Sequence, residues 1–192
     1  MIIGILAIQG DFELHQKVLY GIRTDNILVK TPQDLNKCNG LIIPGGESTT
    51  FVKLMKVNNL FNSVIAFGQN KAIMGTCAGL IILAKKVHNL EHETLKLIDI
   101  EVSRNAYGRQ IDSFIDHIEL SINNNKSLFE GVFIRAPKIV KIGEGARSLG
   151  FHKNDVVLAE NENILAATFH PELTEDTRIH EYFVTKVQKL IK

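Results

Sequence analysis

The chain has 192 residues, close to the roughly 100–200 expected of one domain, so a single unit over residues 1–192 is the expectation. Apolar residues make up 45% and charged residues 22%, which excludes disordered and fibrous classes. The 22 Lys and Arg nearly cancel the 21 Asp and Glu, leaving +1, so neither nucleic acid nor an acidic membrane is an expected partner.

The first apolar run, Ile2 to Ile8, reads as a strand. It lacks the basic flank and cleavage pattern of a signal peptide. A turn at Gln9-Gly10-Asp11 follows, and Leu14, Val18, Leu19 and Ile22 then recur at helical spacing. Ile27 to Val29 reads as a second strand and Leu41 to Ile43 as a third, which stops at Pro44-Gly45-Gly46. Ser48 or Thr49 is positioned to cap a helix through Phe51, Leu54 and Met55, and Leu60 to Gln69 reads as another helix. Ala72 to Met74 forms a short strand that runs through Gly75-Thr76-Cys77-Ala78-Gly79 into a buried helix at Leu80 to Ala84. Alternating short strands and helices predict an α/β fold with a mostly parallel central sheet flanked by helices in three layers. From about residue 97 the runs are strand-like: Leu97 to Val102, Phe114 to Ile122, Val132 to Ile134, Val156 to Ala159 and Ile164 to Phe169. Antiparallel pairing is expected there, with a hairpin at Asn161-Glu162-Asn163 and a closing helix carrying Val184, Val187, Leu190 and Ile191. No apolar run reaches the ~18 residues that span a bilayer.

Gly75-x-Cys77-x-Gly79 between strand and helix has the form of a nucleophile elbow, in which a tight turn lifts the reactive side chain above the sheet. Read alone it is rather a buried structural cysteine beside packing glycines. His170-Pro171-Glu172 follows the last strand, and residues two apart in extended chain point the same way, so Glu172 can orient His170. Read alone that tripeptide is a turn with a solvated histidine. Together Cys77, His170 and Glu172 supply a nucleophile, a base and acid, and an orienter. Pro44-Gly45-Gly46-Glu47-Ser48 leaves a neighbouring strand end, where freed amides, joined by that of Ala78, can form an oxyanion hole. Phosphate-loop and dinucleotide-loop spacings are absent, which favours acyl chemistry. A peptidase with an elbow cysteine, or a binding scaffold with an idle one, remains open at this level. Cys38 has no partner motif and reads as packing. Two cysteines are too few for a disulfide scaffold and suit a reducing cytoplasm. His88 and His92 stand at helical spacing, but Asn89-Leu90-Glu91 between them breaks the His-Glu-x-x-His pattern, so no metal site is expected. His15, His117, His152 and His180 read as surface or core residues.

In this order, PGGES, GTCAG and FHPE resemble the class I, triad-type glutamine amidotransferases. Further segments narrow the resemblance: Ile8-Gln9-Gly10, GTCAGLIILAK at 75–85, Arg104-Asn105 with GRQIDSF at 108–114, GVFIRAP at 131–137 and FHPELTED at 169–176. Over its whole length the chain resembles the glutaminase subunit of pyridoxal 5'-phosphate synthase. The resemblance implies a flavodoxin-like core and hydrolysis of L-glutamine to glutamate and ammonia through a thioester on Cys77, with His170 and Glu172 completing the triad. It implies glutamine binding by Gly46, Glu47, Ser48, Arg104, Ile134 and Arg135, and an oxyanion hole from Gly46 and Ala78. Gln9 would face the partner. It also implies no cofactor, a synthase partner forming a dodecameric ring decorated by glutaminase subunits, and both hydrolase and lyase classifications. Where members of that family often carry glycine, this chain has Lys96, which questions the local turn.

Overall fold

A computed structural model describes residues 1–90, 92–104, 113–123 and 125–191. In chain order the strands are β1 (Ile3–Leu6), β2 (Asn26–Val29), β3 (Gly40–Ile43), β4 (Ala72–Thr76), β5 (Ala84–His88), β6 (Ile98–Ser103), β7 (Ser113–Ile122), β8 (Asn125–Ile134), β9 (Lys138–Ile142), β10 (Arg147–His152), β11 (Asp155–Glu160) and β12 (Ile164–Ala167). The helices are α1 (Phe12–Gly21), α2 (Pro32–Asn36), α3 (Ser48–Val57), α4 (Leu60–Gly68), α5 (Ala78–Leu83) and α6 (Arg178–Ile191).

Nine strands form one mixed sheet in the order β2-β1-β3-β4-β12-β11-β10-β7-β8. The first five run parallel, and from β11 onward every pairing is antiparallel. A second sheet pairs β5, β6 and β9. β1, β3, β4 and β12 are buried along their length, because helices or the small sheet cover both faces. Ile3, Ile5 and Met74 pack with Leu19 of α1 and Ile179, Phe183 and Val187 of α6 on one face. Leu6, Ile43 and Ile73 pack on the other with Phe51, Val64 and Leu80, and with Ile100 of the small sheet. Each such side chain contributes roughly 1.5–3 kcal/mol on burial. The far edge differs: β7 alternates exposed and buried residues, as a strand with one wet face does.

The predicted α/β class holds, with parallel strands in the first half and antiparallel ones in the second. Four local readings change. Glu47 rather than Ser48 or Thr49 caps α3, its carboxylate accepting the Thr50 amide at 2.9 Å, and Ser48 is the first helical residue. The helix after the elbow stops at Leu83 and the chain becomes strand β5, so His88 and His92 share no helix face; Glu91 lies outside the described residues. β8 begins at Asn125, seven residues before the run expected from Val132. The helix α2 and strands β9 and β10 were not expected at all. Lys96 occupies the left-handed region at φ +55°, which explains why glycine suits that position. Among the described residues, no helix is long and apolar enough to cross a membrane.

Candidate active site

The sheet order brings the chemistry together. β4 lies between β3 and β12, parallel to both, with Gly75 opposite Ile43 and Thr76 opposite Ala167. Three strands therefore leave the sheet at one edge, neighbours about 4.8 Å apart. β3 delivers Gly45-Gly46-Glu47, β4 delivers Cys77, and β12 delivers His170.

Cys77 sits at φ +48°, ψ −101°, a backbone state that costs a non-glycine residue about 1–3 kcal/mol and gathers at functional turns. Its amide donates to the Ala167 carbonyl at 2.9 Å, which fixes the elbow to β12. A side chain at Gly79 would strike the Ile43 carbonyl, so this glycine lets α5 pack directly on β3. Cys77 Sγ points to the Ile134 carbonyl at 3.8 Å. His170 is held by its own amide, which donates to the Val132 carbonyl at 2.9 Å, and its ring lies where any side chain on Gly45 would stand. His170 Nδ1 meets Glu172 Oε1 at 2.7 Å with both side chains buried. The pairing forms on a single 3-10 turn, Pro171–Leu173, not on extended chain, since β12 already ends at Ala167.

The electrostatics follow. Burial pulls the His170 pKa down, but hydrogen bonding with Cys77 and Glu172 outweighs it and raises the value to about 10. Burial pushes Glu172 up, yet the adjoining His15 and His170 bring it down to about 2. The site thus holds an imidazolium between a sulfur and a carboxylate, the surroundings in which cysteine acts as a nucleophile and histidine returns the proton.

A cavity of about 300 Å³ opens above Cys77. Its lining includes Gln9, Gly46, Glu47, Ser48, Arg104, Ile134, Arg135 and His170, all singled out in the sequence. Glu172 is paired with His170 outside the lining, and Ala78 is the buried first residue of α5, directly after Cys77. Glu47 Oε1 accepts from Arg104 Nη2 at 3.2 Å across the mouth, and Gln9 Oε1 accepts the Glu47 amide at 3.3 Å. Burial pushes the Glu47 pKa up, but hydrogen bonds from Thr50 and Thr49 and the Arg104 charge hold it below its ordinary value. Ser48 Oγ is buried without a hydrogen-bond partner among the described residues. The Asn105 and GRQID parts of the sequence signature lie outside the described residues.

Sequence reasoning passed over Asp11, Ile81 and Pro137, which also line the cavity, and His15 and His180, which lie behind the triad. His15 had a readable signal: it precedes Leu19 by one helical turn on the buried stripe of α1. Asp11, His170 and Glu172 bring one ligand atom each within 4.8 Å of one another. His170 is already engaged by Glu172 and Cys77, so this group is read as part of the triad and not as a metal centre.

Residues 5–189 match the model of the SNO glutamine amidotransferase family. The chain belongs to that family. This amidotransferase is 46% identical to a Thermosipho africanus protein named pyridoxal 5'-phosphate synthase subunit PdxT, over 98% of the chain and 100% of the relative. It is 49% identical to the protein of that name from Dictyoglomus turgidum, over 97% and 98%. A crystal structure described as a glutamine amidotransferase superposes with a TM-score of 0.92 at 38% identity, covering 98% of this chain and 100% of the other. The lyase classification carried by the resemblance is corrected here. The family is one of glutamine amidotransferases, which supports a hydrolase-type glutaminase and not a lyase.

Proposed function

We propose that this chain, as one glutaminase domain over residues 1–192, hydrolyses L-glutamine to glutamate and ammonia for a pyridoxal 5'-phosphate synthase. The observation that carries the reading is Cys77 in a left-handed elbow beside a buried His170–Glu172 pair, in a member of an amidotransferase family. Cys77 Sγ adds to the γ-carboxamide carbon, and amides of Gly46 and Ala78 hold the oxyanion. His170 gives its proton to the leaving nitrogen as ammonia departs and leaves a γ-glutamyl thioester. Water then loses a proton to His170 as it attacks that thioester, and glutamate is released with Cys77 restored. Glu172 keeps the imidazole oriented throughout.

The cavity suits a free amino acid. Arg104 offers a guanidinium to the α-carboxylate and Glu47 a carboxylate to the α-ammonium, and the unpartnered Ser48 hydroxyl gains a partner. Ile134 and Arg135 line the same cavity. Ammonia in neutral water is mostly protonated and lost as a nucleophile, so sequestered delivery to a synthase subunit is part of the proposal. The relatives' description as synthase subunits supports it. Gln9 at the mouth faces that partner, and a dodecameric synthase ring carrying these subunits belongs to the same reading. Two free cysteines suit a reducing cytoplasm. The test is glutamate release from glutamine with and without the synthase subunit: activity that rises with the partner and disappears in Cys77→Ala is expected. Full activity in Cys77→Ala would remove Cys77 from the mechanism.

A further inference from the structure

Behind the triad lies a second set of buried imidazoles that the reaction as written does not use. Glu172 spends Oε1 on His170, and its other oxygen, Oε2, has no close hydrogen-bond partner among the described residues. The group that faces it is His15 of α1, with Nε2 at 3.4 Å. The same nitrogen lies 3.2 Å from Oγ1 of Thr76, the residue immediately before Cys77. On its other side His15 Nδ1 is 2.9 Å from His180 Nε2 of α6, and His180 Nδ1 has no partner among the described residues. Both histidines are fully buried. Burial lowers the pKa of each, that of His180 to about 3, while the Glu172 carboxylate pulls that of His15 the other way.

With both imidazoles neutral, two arrangements of protons are open to the pair. In one, His15 carries its proton on Nδ1 and donates to His180. A lone pair on His15 Nε2, with only the Thr76 hydroxyl to donate to it, then faces the Glu172 carboxylate, and His180 is left with a buried, unpartnered N–H. In the other, His180 donates from Nε2 to His15 Nδ1, and the His15 Nε2–H donates to Thr76 Oγ1 at 3.2 Å with Glu172 Oε2 beside it at 3.4 Å. Only a lone pair on His180 Nδ1 is then left over. The second arrangement avoids both lone-pair repulsion at the anion and an orphaned buried donor, so it is the one the geometry selects.

We propose that His15 is a positioning residue of this active site: its Nε2–H, fixed by His180, holds the outer oxygen of Glu172 and ties the turn bearing the triad carboxylate to the strand bearing Cys77. The proposal deepens the triad reading and rests on it. An oriented histidine is worth little if the carboxylate that orients it can rotate, and the far oxygen is where rotation is stopped. The other titratable groups that face Glu172 are His170 on its own turn and Asp11 at the start of α1. Cys77 lies across His170, and His180 stands behind His15. Lys126 and Glu130 of β8, the strand that also packs on this turn, are exposed.

The test compares His15→Leu, which fills the space without a donor, with His15→Gln, whose Nε2 replaces the donating nitrogen. Glutaminase activity of the full chain with the synthase subunit is read as kcat/KM against pH. His15→Leu is expected to lose roughly 10- to 100-fold, the range found when outer partners of metal-bound histidines are removed. Its acid limb should move to higher pH, because a buried carboxylate deprived of a donor protonates more readily. His15→Gln should restore most of the rate and the position of the limb. Equal losses in both variants with an unmoved limb, or no loss in either, would overturn the proposal. Should His15→Leu fail to fold, ¹⁵N spectra of the imidazoles in the unaltered chain at pH 7 decide the matter: neutral, Nε2-protonated His15 is expected, and an Nδ1–H tautomer or an imidazolium overturns it. Cys77→Ala run in parallel separates the two levels. An active Cys77→Ala sinks the triad reading itself, whereas an inactive one beside indifferent His15 variants sinks only this inference.

Discussion

Cys38 and Cys77 are both buried, at 1% and 8% exposure, yet they sit in surroundings of opposite kind. Cys38 follows the short helix α2, packs its sulfur against β1 and donates to the Asp34 carbonyl at 3.3 Å. Burial pushes its pKa up to about 11. Cys77 stands in a left-handed turn at the sheet edge, where two parallel neighbours deliver an imidazole and a glycine loop. Burial alone therefore does not tell an inert thiol from a reactive one. What differs is whether the strand order places a proton-bearing partner beside the sulfur.

The largest expected effect separates the two directly. Cys77→Ala should lower glutaminase kcat by at least ~10⁴-fold, as loss of a nucleophile does. Cys38→Ala should leave kcat/KM within about twofold and cost about 1–2 kcal/mol in urea unfolding, a small core deletion. Glu172→Gln removes what distinguishes the Cys77 side while keeping its shape. A drop in kcat of ~10³–10⁴-fold is expected, because the amide misorients the imidazole. Arg104→Ala probes the cavity rather than the thiol: KM for glutamine should rise ~10–100-fold with kcat little changed, the loss of one charge-assisted contact.

A pH series sharpens the contrast in stability. His170 has a folded pKa of about 10 against an ordinary value of 6.5. Above pH 6.5 the folded state therefore holds the extra proton, and the contribution of His170, complete below 6.5, is lost as pH rises through 10. Glu172, at about 2 against 4.5, contributes above 4.5 and loses that contribution as pH falls toward 2. The gap in melting temperature between the native chain and His170→Gln should narrow steadily from pH 7 to 9, while the gap to Cys38→Ala should stay constant to about pH 8 and narrow only above it, as the unfolded thiol, with its ordinary value of 9.0, ionises and the buried one does not. The smallest effect concerns strain without chemistry. Lys96 shares the sign of φ with Cys77 but lies outside the site, so Lys96→Gly should stabilise the fold by about 0.5–1 kcal/mol, measured by urea unfolding, and leave activity unchanged.

Much of this was legible in the sequence because the parallel half repeats one physical pattern. Runs such as Leu41 to Ile43 and Ala72 to Met74 are apolar throughout, since both faces are covered, and these two end in glycine turns that carry site residues. The edge of the sheet was harder to read. β8 opens with Asn125, Lys126 and Ser127, polar residues that a strand tolerates only when one face is wet, so the apolar run at Val132 marks its end and not its start. β5, with Lys85 and Lys86 exposed, was masked by the continuous apolar run that precedes it. His15 and His180 went unread for a different reason: they are 165 positions apart, and only the packing of α1 and α6 on the same face of the sheet makes them one cluster.

The comparison of the two cysteines reduces to one measurement. The full chain, alone and with the synthase subunit, is treated with an electrophilic glutamine analogue and the modified residue is located by peptide mass spectrometry. The expected result is stoichiometric modification of Cys77, enhanced by the partner, with Cys38 untouched. Modification of Cys38, or an unmodified Cys77 in the presence of the partner, would contradict the account.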